Sequence, residues 1–158
     1  MLESISIRPA RPKEGERLRE IALAAKAHWG YDEDWVRGWA AQGDFSREAL
    51  TAKPVLVADL GGRPIGFAAL LPAGELCVLD DLWLDPDWIG RGIGTHLFRA
   101  CVERARDLGA KRLEWEAEPN AVGFYEKLGG RYLRDSPPTE LNRVIPVMGL
   151  DLTPPRPA

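Results

Sequence analysis

The 158-residue sequence predicts a mixed α/β chain with an antiparallel front half and a single β-α-β crossover in its middle. Three observations predict it: segments of period-two alternation, amphipathic stretches of helical period between them, and glycine or proline clusters that separate neighbouring segments. At about 100–200 residues per domain, the length fits one globular unit, and 45% hydrophobic residues supply its core. We read residues 1–152 as that domain and 153–158 as a Pro-rich tail.

Ser4-Ile5-Ser6-Ile7-Arg8 alternates and is bounded by Pro9, a short first strand. From Pro12 to Ala27, Leu18, Ile21, Ala22 and Ala25 fall on one stripe, while Arg17, Arg19 and Glu20 lie off it, so an amphipathic helix ends near Gly30. A second helix runs from its N-cap Asp32 to Gln42 and puts Tyr31, Trp35 and Trp39 at four-residue spacing. Pro54–Leu60, Gly61-Gly62 and Arg63–Leu71 read as strand, turn and strand, with the next turn at Pro72-Ala73-Gly74. Glu75–Leu84 is β-like. In the helix over Ile93–Leu108, Ile93, Leu97, Cys101, Ala105 and Leu108 form the apolar stripe, His96 lies on the polar face, and Gly109 stops it. Lys111–Ala117 alternates as a strand, with Leu113, Trp115 and Ala117 on one side and Arg112, Glu114 and Glu116 on the other. A short helix over Pro119–Leu128 ends at Gly129-Gly130, and a final strand covers Arg143–Leu152, with room for one more strand near Gly130–Arg134.

The 21 Lys and Arg against 24 Asp and Glu leave a net charge of −3, the wrong sign for a broad surface that binds nucleic acid or an anionic membrane. No apolar run approaches the ~20 residues of a membrane span, and Met1-Leu2-Glu3-Ser4-Ile5 has no export pattern, so a cytoplasmic location is expected. Cys77 and Cys101 stand alone without metal-ligand spacing, so two buried thiols are expected and no metal.

The chemistry is expected where Leu82-Trp83-Leu84 leads through Asp85-Pro86-Asp87-Trp88-Ile89 into Gly90-Arg91-Gly92-Ile93-Gly94-Thr95. Glycines let backbone approach a ligand closely, and the unpaired N–H groups of a helix start attract anions, so a phosphate or pyrophosphate is the expected guest, with Arg91 adding charge. The spacing is neither a P-loop nor the G-x-G-x-x-G dinucleotide fingerprint. Glu114 and Glu116, about twenty residues onward, keep a ribose-binding acid and hence a dinucleotide-binding oxidoreductase open as an alternative.

Gly92-Ile93-Gly94, preceded by Leu84-Asp85-Pro86, resembles motif A of the GNAT superfamily of N-acetyltransferases. Asn120-Ala121-Val122-Gly123-Phe124-Tyr125-Glu126-Lys127-Leu128-Gly129 is similar to its motif B. Ile89 departs from the Arg or Gln usual three residues before the first of those glycines. The resemblance implies a single domain with a mixed central sheet, an antiparallel N-terminal half, a splayed parallel strand pair and helices on both faces.

It also implies acetyl-CoA as cofactor and acetyl transfer to a primary amine of a small molecule or peptide by direct attack. By it, Leu82, Trp83 and Leu84 offer backbone groups to the pantetheine arm and to the developing oxyanion, and Tyr125 supplies a proton to the leaving thiolate. Asn120 and Phe124 border the cofactor, although Asn is also an ordinary cap and Tyr125 could cover the core. A base is sought among Asp80, Asp81 and Glu116, of which strand alternation lets only one of the first two face a given side. Family members commonly border the acceptor with their first two helices. Here Trp29 and Tyr31 are the pocket candidates, while Trp35 and Trp39 are read as packing against the sheet. A non-catalytic acyl-CoA-binding domain and a homodimer paired through the last strand remain open.

Overall fold

The computed structural model describes residues 4–138 and 144–153, and for residues 39–42 the backbone only. The described elements run β1 (Ile5–Pro9), α1 (Gly15–His28), α2 (Glu33–Gln42), α3 (Arg47–Ala52), β2 (Val55–Leu60), β3 (Arg63–Ala73), β4 (Leu76–Leu84), α4 (Ile93–Asp107), β5 (Arg112–Glu116), α5 (Val122–Lys127), β6 (Arg131–Asp135) and β7 (Pro146–Asp151). Single 3-10 turns over Pro86–Trp88 and Pro119–Ala121 precede α4 and α5. The strands make a seven-stranded mixed sheet in the order β1-β2-β3-β4-β5-β7-β6, with β4 and β5 parallel. Two compact units share strands β3 and β4: residues 1–70 with 81–101, and residues 71–80 with 102–158.

In the first unit the predicted stripe of α1 is the core face, with Leu18, Ile21, Ala22 and Ala25 at most 2% exposed. The helix starts at Gly15 rather than at Pro12 because Glu14 closes a turn onto Arg11 and takes the capping position. The Glu14 carboxylate accepts two bonds from Arg8, at 2.9 and 2.8 Å, and one from the Arg11 N–H at 2.7 Å. The Arg8 guanidinium holds that carboxyl below its ordinary range. At Gly15 a side chain would collide with the Phe45 carbonyl. Helix α3 is absent from the sequence reading because six residues with one core side chain, Leu50, show no periodicity. Ser46 begins it by accepting the Ala49 N–H at 3.1 Å.

Strands β2 and β3 pair antiparallel until Ala58↔Gly66 gives way to Asp59↔Pro64, which leaves Ile65 as an extra residue on β3. That bulge turns Ile65 to the opposite face from Phe67 and Ala69. Val55, Val57, Phe67 and Ala69 pack with α1 and Leu50, whereas Ala58 and Ile65 pack with Ile93 at the start of α4. Helices therefore cover both faces of this part of the sheet.

In the second unit β4 pairs β5 in parallel through Leu76↔Arg112, Cys77↔Leu113 and Val78↔Glu114, although β4 continues to Leu84 and β5 to Glu116. Leu113, Trp115 and Ala117 are buried as the alternation predicts, but Glu114 on the expected polar face is 4% exposed. Its carboxylate lies 2.7 Å from both Arg112 and Arg134. Arg134 belongs to β6, beyond the intervening β7, where Gly149 stands opposite Glu114 and contributes no side chain.

The final strand is shorter than Arg143–Leu152, of which Arg143 lies outside the described residues, and it runs between β5 and β6. Its ladder groups are used within the chain, which removes the basis for pairing a second copy through it. The strand near Gly130–Arg134 exists as β6, and it takes the edge of the sheet on this side. Leu108 leaves the stripe of α4 and is 39% exposed, because the helix ends at Asp107 and Gly109, at φ 89°, turns the chain away. Cys77 and Cys101 are buried and make no disulfide, as expected, and burial pushes the Cys77 thiol up. Apart from Thr153, the expected tail lies outside the described residues. Among those residues no helix is long and apolar enough to cross a membrane.

Candidate active site

Strand β4 ends where the first unit assembles its chemistry. Gly66 on β3 lets this end come close: a Cβ there would lie 2.6 Å from Leu84 Cδ2 and 3.1 Å from the Trp83 carbonyl oxygen. Alternation sends Trp83 to the α1 cluster and Leu84 to the Ile65 and Ile93 cluster. Asp81, half-buried on the Trp83 side, accepts the indole N–H at 3.1 Å, whereas Asp80 is exposed.

Asp85 then anchors the loop on three sides. Its N–H donates to the Ile65 carbonyl at 2.9 Å. Its carboxylate accepts the Asp87 N–H at 3.1 Å and an Arg17 N–H at 2.9 Å. Arg17, from α1, also donates to the Pro64 carbonyl at 2.9 Å, so one guanidinium ties the bulge in β3 to the loop. Arg17 lies off the apolar stripe of α1, and nothing in its local sequence points to Asp85. The Asp-Pro pair at the start of a turn was the one local signal for Asp85.

Beyond the 3-10 turn, Gly90 and Gly92 both sit at φ 83°, a left-handed conformation that L side chains rarely adopt. The first helical bond of α4 runs from the His96 N–H to the Gly92 carbonyl at 3.3 Å. The N–H groups of Ile93, Gly94 and Thr95 precede that bond and, as at any helix start, favour negative charge. Gly94 is buried within the first turn and Thr95 is half-buried. Arg91 stacks its guanidinium 4.8 Å from the Trp88 ring, and Ile89, where the motif expects a charged or amide side chain, is 38% exposed. The donors here are backbone groups with one arginine beside them, which suits phosphate oxygens.

On the α1 side, Lys26 Nζ lies 4.6 Å from the Tyr31 ring, 5.0 Å from Trp83 and 5.4 Å from Trp35. Tyr31 and Trp35 stack at 5.3 Å. Trp35 thus joins Tyr31 in one wall rather than serving the packing role read from its spacing. The predicted cap holds, with the Trp35 N–H donating to Asp32 at 3.1 Å. Trp29, the other pocket candidate, is half-buried and meets the His28 ring edge at 4.9 Å. The Trp39 side chain lies outside the described residues. No sequence signal singled out Lys26.

The second unit carries the remaining candidates. Tyr125 on α5 is 7% exposed, its ring 5.0 Å from Trp115 and 5.1 Å from Phe124. Gly130 permits that packing, since a Cβ would lie 2.9 Å from the Trp115 ring and 3.0 Å from the Tyr125 carbonyl oxygen. Asn120 is exposed and donates to Glu118 at 3.0 Å; the capping position of α5 falls on Ala121, so the cap reading of Asn120 fails. Glu116 is exposed at the end of β5. Among the described residues no cluster of three or more His, Cys, Asp or Glu could hold a metal ion.

Comparison with known proteins bears on this arrangement. The model of the acetyltransferase (GNAT) family matches residues 17–130. The peptidyl-lysine N-acetyltransferase YjaB of Salmonella typhimurium is 31% identical over 92% of this chain and 97% of its own length. An uncharacterized N-acetyltransferase of Methanocaldococcus jannaschii is 30% identical over 69% of the chain, which spans only 54% of that relative. The crystal structure of PaiA N-acetyltransferase from Thermoplasma acidophilum in complex with coenzyme A shares the fold, with a TM-score of 0.78 and 22% identity over 94% of this chain and 99% of that one.

Proposed function

The chain belongs to the acetyltransferase (GNAT) family, and from that premise we propose that it transfers acetyl from acetyl-CoA to a primary amine of a peptide or small molecule by direct attack on the thioester. The observation that carries this reading is the loop from Asp85 to Thr95. Two glycines at φ 83° lead into a helix whose first N–H groups precede its hydrogen bonds, a cradle for the phosphates of coenzyme A. The peptidyl-lysine relatives incline the acceptor toward a lysine side chain.

In this reading the backbone of Ile89 to Thr95 and the Arg91 guanidinium hold the pyrophosphate, and exposed Ile89 leaves more of that work to the backbone. Leu82, Trp83 and Leu84 align the pantetheine arm along the end of β4, and Asn120 and Phe124 border the arm from motif B. Acetyl-CoA supplies the activated acyl group as a thioester. An acceptor amine, with a reference pKa near ~10.4, must lose a proton before it attacks. Asp81 or Glu116 takes that proton directly or through water. Tyr125 holds the proton that the departing sulfur takes up, as a phenol with a reference pKa near ~10 can.

The dinucleotide alternative loses one of its two supporting acids and has no support in the family match. Glu114, one of the two acids offered for a ribose, is buried between Arg112 and Arg134.

Thiol release from acetyl-CoA, measured against a panel of alkylamines and lysine peptides, tests the reading. Release matched one-to-one by acetylated amine is expected, with Tyr125→Phe lowering kcat about 100-fold, within the usual range for a general acid. Thermal stabilisation by NAD(P) and not by acetyl-CoA would overturn it.

A further inference from the structure

We propose that the box of Tyr31, Trp35 and Trp83 is a binding site for the alkyl-ammonium group of the acceptor, and that Lys26 is its resident, displaceable occupant. The inference rests on the reading of this protein as an amine acetyltransferase.

A helical lysine at the edge of a core ordinarily lays its stem on apolar surface and sends its ammonium to water. Lys26 instead directs its ammonium among three aromatic rings, each within 5.4 Å. Those rings come from three places: Tyr31 from the connection after α1, Trp35 from α2 and Trp83 from β4. The negative faces of such rings attract a cation, and three around one point define a cation site.

Its walls are held independently of Lys26. Trp83 is fixed by its bond to Asp81 and by packing on the α1 cluster, and Tyr31 and Trp35 support each other by stacking. Asp32 and Asp34, just after Tyr31, are exposed, while Glu33 between them is neutralised by Arg37 at 2.6 Å, so the charge that favours a cation here comes from the two aspartates.

The box also adjoins the loop assigned to acetyl-CoA. Trp83 is two residues before Asp85, about 7 Å along an extended strand. The ligand that fits is the one already present, a primary ammonium on an unbranched alkyl stem, as on a lysine side chain or an alkylamine. Because Lys26 must move aside, a box open in about one molecule in ten binds its ligand about tenfold more weakly than an open one.

The test is a tryptophan-fluorescence titration with butylammonium chloride, without acetyl-CoA. Lys26→Met keeps the apolar stem and removes the charge, and it should bind butylammonium about tenfold more tightly than the unmodified chain. Lys26→Arg keeps a cation in place and should bind as weakly as the unmodified chain. Trp83→Phe added to Lys26→Met should take back part of the gain. Lys26→Gln serves if the Met variant melts early. Equal affinity in the unmodified, Met and Gln chains overturns the proposal, as does a gain in the Arg chain. Amine-dependent thiol release without a lower amine KM in Lys26→Met also overturns the box while leaving the transfer reading standing. Tight butylammonium binding with no thiol release sustains the cation site and removes the transfer reading.

Discussion

The glycine loop after β4 and the aromatic box beside it are built in opposite ways. The loop offers backbone: its donors are N–H groups, and two glycines at φ 83° decide where those groups point. The box offers side chains, three rings drawn from three elements around one ammonium. A backbone site tolerates a change such as Ile89 because neighbouring N–H groups remain, whereas a side-chain site changes its ligand when one ring or one charge is exchanged. The loop therefore suits the part of the reaction common to every acceptor, and the box suits the part that distinguishes among them.

Among changes that separate the loop from the box, the largest expected effect breaks the loop alone. Gly92→Ala forces an L residue into a conformation costing about 1–2 kcal/mol. We expect the KM for acetyl-CoA to rise about tenfold, as 1.4 kcal/mol implies, with the KM for the amine changed much less. Steady-state kinetics with each substrate varied in turn checks it, and equal rises in both constants would erase the distinction between the two regions.

Arg17→Leu should act less strongly. Its bonds to Asp85 and Pro64 position the loop from α1, the helix that also carries Lys26. Losing a part-buried charged hydrogen bond is worth about 1.5–3 kcal/mol of stability, and part of that should appear as a several-fold rise in the acetyl-CoA KM. Arg17→Lys should recover some of it. Butylammonium binding should stay unchanged, because Arg17 makes no part of the box; a change there would show that α1 couples the two regions.

The smallest kinetic effect is expected at the far end of α1. Glu14 has its folded-state pKa lowered by Arg8, so its contribution to stability is present above the ordinary carboxylate range and is lost as pH falls through the lowered value. Glu14→Gln should lower the melting temperature by several degrees at neutral pH and by less in acid, with both KM values unchanged. Melting curves across acidic pH, paired with neutral-pH kinetics, separate scaffold from site. A shift in either KM would mean that α1 transmits strain to the chemistry.

Local patterns made much of this legible. The stripe of α1, the alternation of β5, the cap at Asp32 and the glycine run into α4 each lie within about one turn or one strand of sequence, where backbone preference and burial period act directly. Helix α3 escaped because six residues are too few for a period. The place of β7 escaped because alternation tells which side chains share a face and not which strand lies beside which. Glu114 looked like a surface carboxylate because nothing local announces that Arg134 will reach it from β6 across Gly149.

The sequence by itself determined most of the elements in their order, the glycine run into α4 and, through two motifs, the family, because these rest on backbone conformation and short spacing. Only the tertiary structure decided that Arg17 would hold Asp85, that Ile65 would bulge to the α4 face, and that Lys26 would lie among Tyr31, Trp35 and Trp83. Each of those depends on which elements pack together, and the free energy that selects the packing is spread over the whole core rather than written in any one segment.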